Sequence, residues 1–151
     1  MSMNRPLCLI SLVMLSTVGV GCGGSDKKPE RAVVPVAGRV LLDGEPIQDA
    51  DVVLHPAQAV DDGLPVYMPR GRTGADGTFR LSTYRTGDGA PPGEYLVALS
   101  WGGPLAGLSE DEQDALPERL SRKYLLPGTS GIKVAVESTE SGVTLQDFEL
   151  E

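Results

Sequence analysis

Between Val33 and the C-terminus, apolar residues recur at every second position in a series of short runs, each cut off by Gly or Pro, and this constrains the fold more than any other feature. A period of two belongs to a strand with one buried face. The longest run, Gly93 to Trp101, places Tyr95, Val97, Leu99 and Trp101 on one parity and reads as a central strand. Gly and Pro supply 31 of 151 residues (19 and 12), more turn chemistry than a helical bundle tolerates. Short strands around one core are therefore expected, and the length suits a single domain.

Val34, Val36, Val40 and Leu42 share one face of the first strand, which Asp43-Gly44 ends with a turn pair. Ala50 to His55 is a second strand, with Val52 and Leu54 on the apolar parity. Residues 57 to 65 read as a loop. Val66 to Thr73 is a weak strand that belongs at an edge, because Pro69 cannot donate to a ladder. Ala75-Asp76-Gly77 predicts a three-residue hairpin loop with positive φ at Gly77. Thr78 to Tyr84 then pairs back, directing Phe79, Leu81 and Thr83 inward and setting Arg72 opposite Arg80.

Ser109-Glu110-Asp111-Glu112 has the form of a capping box, so a short helical insertion is expected within 109–123, restarted by Pro117. Ile132, Val134 and Val136 mark another strand. Val143 and Leu145 share one parity and Phe148 and Leu150 the other, which predicts a bulge near Gln146 or Asp147. Seven strands and one short helical insertion give an all-β, antiparallel β-sandwich of immunoglobulin-like architecture over residues 33–151.

The N-terminus follows a different logic. After Arg5, residues Leu7 to Val20 run without a charge for 14 positions, short of the roughly 20 that span a bilayer, and read as the apolar region of a signal peptide over residues 1–21. Gly21-Cys22-Gly23-Gly24-Ser25 then resembles the lipobox of bacterial lipoproteins, with Gly19 standing where an apolar residue is usual. The resemblance implies cleavage before Cys22 and acylation of its thiol. Residues 22–32 would be the lipidated cysteine and its tether. Cys8 leaves with the signal, so Cys22 is the lone cysteine of the mature chain and no internal disulfide can form. Localisation is expected to be exported and membrane-anchored in the cell envelope.

The order Pro35-Val36-Ala37-Gly38-Arg39-Val40, Asp43-Gly44-Glu45-Pro46-Ile47, Ala50-Asp51-Val52-Val53-Leu54, Thr73-Gly74-Ala75-Asp76-Gly77-Thr78-Phe79, Gly93-Glu94-Tyr95-Leu96-Val97 resembles carboxypeptidase-regulatory-like, transthyretin-like domains over residues 33 to 101. The stretch from Leu116-Pro117-Glu118-Arg119 through Tyr124 and Thr129-Ser130-Gly131 to Phe148 is similar to the C-terminal half of small planctomycete lipoproteins. The resemblance implies a transthyretin-like sandwich. It implies no activity, because sandwiches host unrelated functions.

The chemistry on offer is sparse. One histidine, His55, leaves no basis for a multi-histidine metal site, and its parity and the following Pro56 make it a strand-end residue. Enzymes of the resembled fold need several histidines. The acids Asp43, Asp49, Asp51, Asp61, Asp62, Asp76 and Asp88 lack calcium-loop spacing and read as turn chemistry, so neither metal nor cofactor is expected. A formal charge of −8, or −9 once residues 1–21 are removed, argues against nucleic acid as a partner. Against that background Arg70, Arg72, Arg80 and Arg85 form a possible anion-binding patch. The reading is a lipid-anchored, non-catalytic binding or structural module, with the membrane as partner through its lipid and an envelope polymer or protein as the other. Two alternatives are a carbohydrate-binding or adhesion module using Trp101 and Tyr67 on loops, and a hydrolase of unrecognised type using His55 or Tyr84.

Overall fold

The computed structural model describes residues 29–151; the signal segment and Cys22 lie outside the described residues. Nine strands and two short helices follow in chain order: β1 (Val36–Leu42), β2 (Glu45–Pro46), β3 (Asp51–Pro56), β4 (Arg70–Arg72), β5 (Thr78–Arg80), β6 (Gly93–Ser100), α1 (Glu110–Asp114), α2 (Arg122–Leu125), β7 (Lys133–Val136), β8 (Val143–Thr144) and β9 (Phe148–Leu150). They make an all-β sandwich of a five-stranded and a four-stranded sheet. The four-stranded sheet is antiparallel in the order β4-β3-β6-β7, so Gly93–Ser100 is an interior strand and β4 an edge, as their patterns require.

In the other sheet β1 is the spine. Asp43 and Gly44 both have positive φ (52° and 82°), the type I′ geometry of a tight hairpin, and β2 folds straight back with Glu45 opposite Leu42. β5 is antiparallel to β1 with Phe79 opposite Gly38. The last two strands correct the expectation of seven purely antiparallel strands, because β8 and β9 both run parallel to β1. Two-residue strands such as β2 and β8 are too short to show a period, and alternation carries no information about strand direction. The expected bulge is present. Val36 faces Val143 whereas Val40 faces Phe148, so four steps along β1 match five along the C-terminal segment, and the extra residue lies between Thr144 and Phe148.

The 74–78 hairpin joins the two sheets. Gly77 has φ 74°, its N–H donates to the Gly74 carbonyl at 2.9 Å, and the Arg70–Ser82 bridge keeps the register expected for that loop. Between that bridge and the turn each strand bonds a different sheet, β4 to β3 and β5 to β1. Phe79 fills the corner between them. Its ring occupies the space above Gly38, where a Cβ would come within 2.6 Å, and packs 5.7 Å from the Phe148 ring. Val40, Val52, Leu54, Leu81 and Val97 are fully buried in the same core. β7 and the β8–β9 segment leave a seam of about 520 Å³ between them.

Candidate functional site

Arg70 and Arg72 lie on β4 and Arg80 on β5, strands that bond different sheets but stay bridged at Arg70 and Ser82. Because β4 and β5 belong to different sheets, Arg72 lies opposite Asp51 and Arg80 opposite Ala37, which corrects the expected Arg72–Arg80 pairing. Local turn chemistry set the register correctly but not which strand completes each ladder. Arg72 binds Asp51 through two hydrogen bonds of 2.9 and 3.1 Å, and those bonds raise the guanidinium pKa. Arg85 reaches Glu30 at 3.1 Å. Arg70 and Arg80 are exposed and have no ion-pair partner among the described residues.

Arg72 instead opens a cleft that the sequence did not reveal. At the end of the four-stranded sheet the chain leaves β6 through Trp101 and Gly102, crosses the helical insertion, and returns over the sheet end. The resulting open cleft has a volume of about 270 Å³, with Asp49, Asp51, Arg72, Trp101, Gln113 and Glu118 among its walls. Each wall is fixed by a specific bond. The Trp101 indole N–H donates to the Gln48 carbonyl at 2.8 Å, and the Arg119 guanidinium lies 5.6 Å from the ring centroid. Glu118 accepts from the N–H of Trp101 at 3.0 Å and of Leu120 at 2.8 Å, tying the insertion to the strand.

Asp49 is the most constrained member. It sits at φ 64°, a conformation uncommon for a residue with a side chain. Buried Thr73 holds the turn, accepting the Asp49 N–H at its carbonyl and the Ala50 N–H at its hydroxyl (2.9 and 2.8 Å). The Asp49 carboxylate accepts the Leu105 N–H at 2.9 Å, so the insertion is pinned at a second point. The expected capping box starts α1: one Glu112 oxygen accepts from both the N–H and the hydroxyl of Ser109 (2.8 and 2.7 Å). Those bonds, the backbone one first, lower the Glu112 pKa.

Asp51 and Glu118 spend their carboxylates on Arg72 and on backbone N–H groups, and the Gln113 amide donates to the Leu108 carbonyl at 2.9 Å, while the second Asp49 oxygen and the Asp114 carboxylate accept no hydrogen bond among the described residues. That set can bind a small polar ligand. Its volume falls below the roughly 300–1,000 Å³ of ordinary small-molecule sites, which suits a single small unit or the end of a longer one. His55 is half-buried on β3 opposite Leu96 and is not part of the cleft.

Trp101 and Tyr67 are not brought together. Trp101 follows the C-terminal end of β6, whereas Tyr67 packs edge-on against Tyr84, 5.3 Å between centroids, at the opposite end. The eight residues of β6 put about 25 Å between those ends. The Tyr84 hydroxyl accepts the Arg31 N–H at 2.9 Å, and the Arg31 guanidinium clasps the 57–65 loop, donating to Asp62 (2.7 Å) and to the Pro65 carbonyl (2.8 Å). The tether expected to extend to residue 32 is therefore already held at Glu30 and Arg31.

This clasp gives a pH signature. Hydrogen bonds from the Arg31 guanidinium, and next from the Leu64 N–H, hold the Asp62 carboxyl below the ordinary aspartate value of about 3.9. A depressed folded pKa means that the contribution is complete above the unfolded value and is lost as pH falls through the folded one. The Leu64 amide resonance should accordingly titrate with a midpoint below about 3.9; an ordinary midpoint would show that the clasp is open in solution.

No family model matches the chain, and no curated protein does. A solved structure, the dioxygenase domain of a dioxygenase carbohydrate-binding protein fusion from the cellulolytic bacterium Streptomyces sp. SirexAA-E, is 22% identical over 84% of each chain with a TM-score of 0.37. That likeness bears on neither the site nor its ligand.

Proposed function

We propose that this chain is an exported, lipid-anchored and non-catalytic binding module of the transthyretin-like type, taking a small polar ligand in the Trp101 cleft. The observation that carries the binding role is the cleft itself, where an indole, a guanidinium and several carboxylates line one space held open by fixed bonds. The non-catalytic part is supported by how the acids are used, since Asp51 and Glu118 brace Arg72 and the insertion. The anchor is supported by the uncharged run ending at Gly21-Cys22. No helix among the described residues is long and apolar enough to cross a membrane.

A carbohydrate unit is the second reading, favoured by Trp101 as a flat wall beside hydrogen-bonding groups. Trp101 is the one tryptophan of the chain, so its emission reports on the cleft alone. Wild-type protein, made with a labelled fatty acid, should carry the label and change its emission saturably with envelope glycan fragments. Cys22→Ser should lose the label, and Arg72→Ala should weaken the emission response. An unlabelled wild type would refute the anchor, and an emission indifferent to envelope extracts and glycans would refute the cleft.

A further inference from the structure

The end of the sandwich that receives the tether is also where exposed apolar side chains collect. Among the described residues four large hydrophobics are exposed, and three of them, Val60 (43%), Val66 (49%) and Met68 (48%), lie in or just after the 57–65 loop that Arg31 clasps. Tyr67 and Tyr84 stand beside them as a half-buried pair, side chains with an apolar body and a polar tip that suit a membrane interface.

We propose that residues 60–68 form a contact surface for the bilayer that carries the lipid, so that the domain is oriented with its cleft pointing away from the membrane. This rests on the lipid anchor proposed above. Glu30 and Arg31 are held on the domain, so only seven residues separate Cys22 from the first held position, Glu30. Eight Cα–Cα steps reach no more than about 28 Å. A domain of 123 residues is about 35 Å across. The tether is thus too short to let the domain roll over, and the clasped loop stays nearest the headgroups. Asp61 and Asp62 in this segment and the acidic charge of the whole chain give no attraction to an anionic surface, so the contact is apolar. The Trp101 cleft, about 25 Å away along β6, then faces outward to a ligand.

The test uses full-length lipidated protein in phosphatidylcholine vesicles. Acylation occupies Cys22, so Val66→Cys, Val60→Cys and, on exposed α1 at the cleft end, Asp111→Cys each add one free thiol for an environment-sensitive fluorophore. All three positions are exposed, and an unchanged melt verifies each fold. Labels at 66 and 60 should lose most of their quenching by aqueous iodide when the protein sits on vesicles, while the label at 111 stays fully quenched. Equal quenching at the two ends, or protection at both, would overturn the orientation while leaving the anchor standing. A Cys22 that mass analysis finds without lipid would overturn the anchor and, with it, this orientation.

Discussion

Leu99→Ala should lower the stability of the sandwich by about 2–5 kcal/mol, the range for deleting a buried leucine side chain and leaving a cavity. Leu99 is 1% exposed and lies opposite fully buried Val52 on the interior strand pair β3–β6. Both positions are hemmed by a second sheet, so neighbours cannot collapse far into the gap. A domain of this size has about 5–15 kcal/mol in all, and the melting temperature should fall by about 10 °C or more. A thermal melt checks this. Loss of less than about 1 kcal/mol would contradict the core position assigned to Leu99. Adding a chelator should leave the wild-type melt unchanged.

Gly89→Ala should cost about as much, for a different reason. Gly89 has φ 101°, and a Cβ there would stand 1.7 Å from the Val34 carbonyl oxygen. That oxygen accepts the Ala90 N–H at 3.0 Å in the bridge that fastens the start of the domain. Relief requires residues 33–35 to peel away. The loss would be the burial of Val34, about 1.5–3 kcal/mol, two backbone hydrogen bonds of about 0.5–1.5 kcal/mol each, and strain at positive φ. Gly87 is the control. Its φ is similarly positive at 72°, but nothing lies within 4 Å of its Cβ direction, so Gly87→Ala should carry only the strain of about 1–2 kcal/mol. Equal melts for the two variants would show that the close approach at Gly89 does not exist in solution.

Much of the architecture was legible in local patterns because the causes are local. Alternation at Tyr95, Val97 and Leu99 marks a buried face whatever the partner strand, and Asp43-Gly44 accepts positive φ at both positions of a turn. The parity switch between Leu145 and Phe148 announced its bulge for the same reason, since one inserted residue flips a strand with period two. The ladder partner of Arg72, by contrast, is Asp51 and not the Arg80 that the loop register implies. A hairpin loop sets which residues would face each other, and it does not determine that the two strands separate into different sheets.

The sequence by itself determined the β-sandwich class, the turn positions, the capping box at Ser109 and most of the core, each through sterics or periodicity within a few residues. The tertiary structure alone decided that β8 and β9 run parallel to β1, that β4 and β5 bond different sheets, that Arg31 clasps the 57–65 loop, and that Asp49, Arg72, Trp101, Gln113 and Glu118 meet in one cleft. Those residues come from four separate stretches of chain. Their meeting depends on how the insertion folds over the sheet end and is pinned there by Glu118 and Asp49, a long-range closure that no periodicity or spacing encodes.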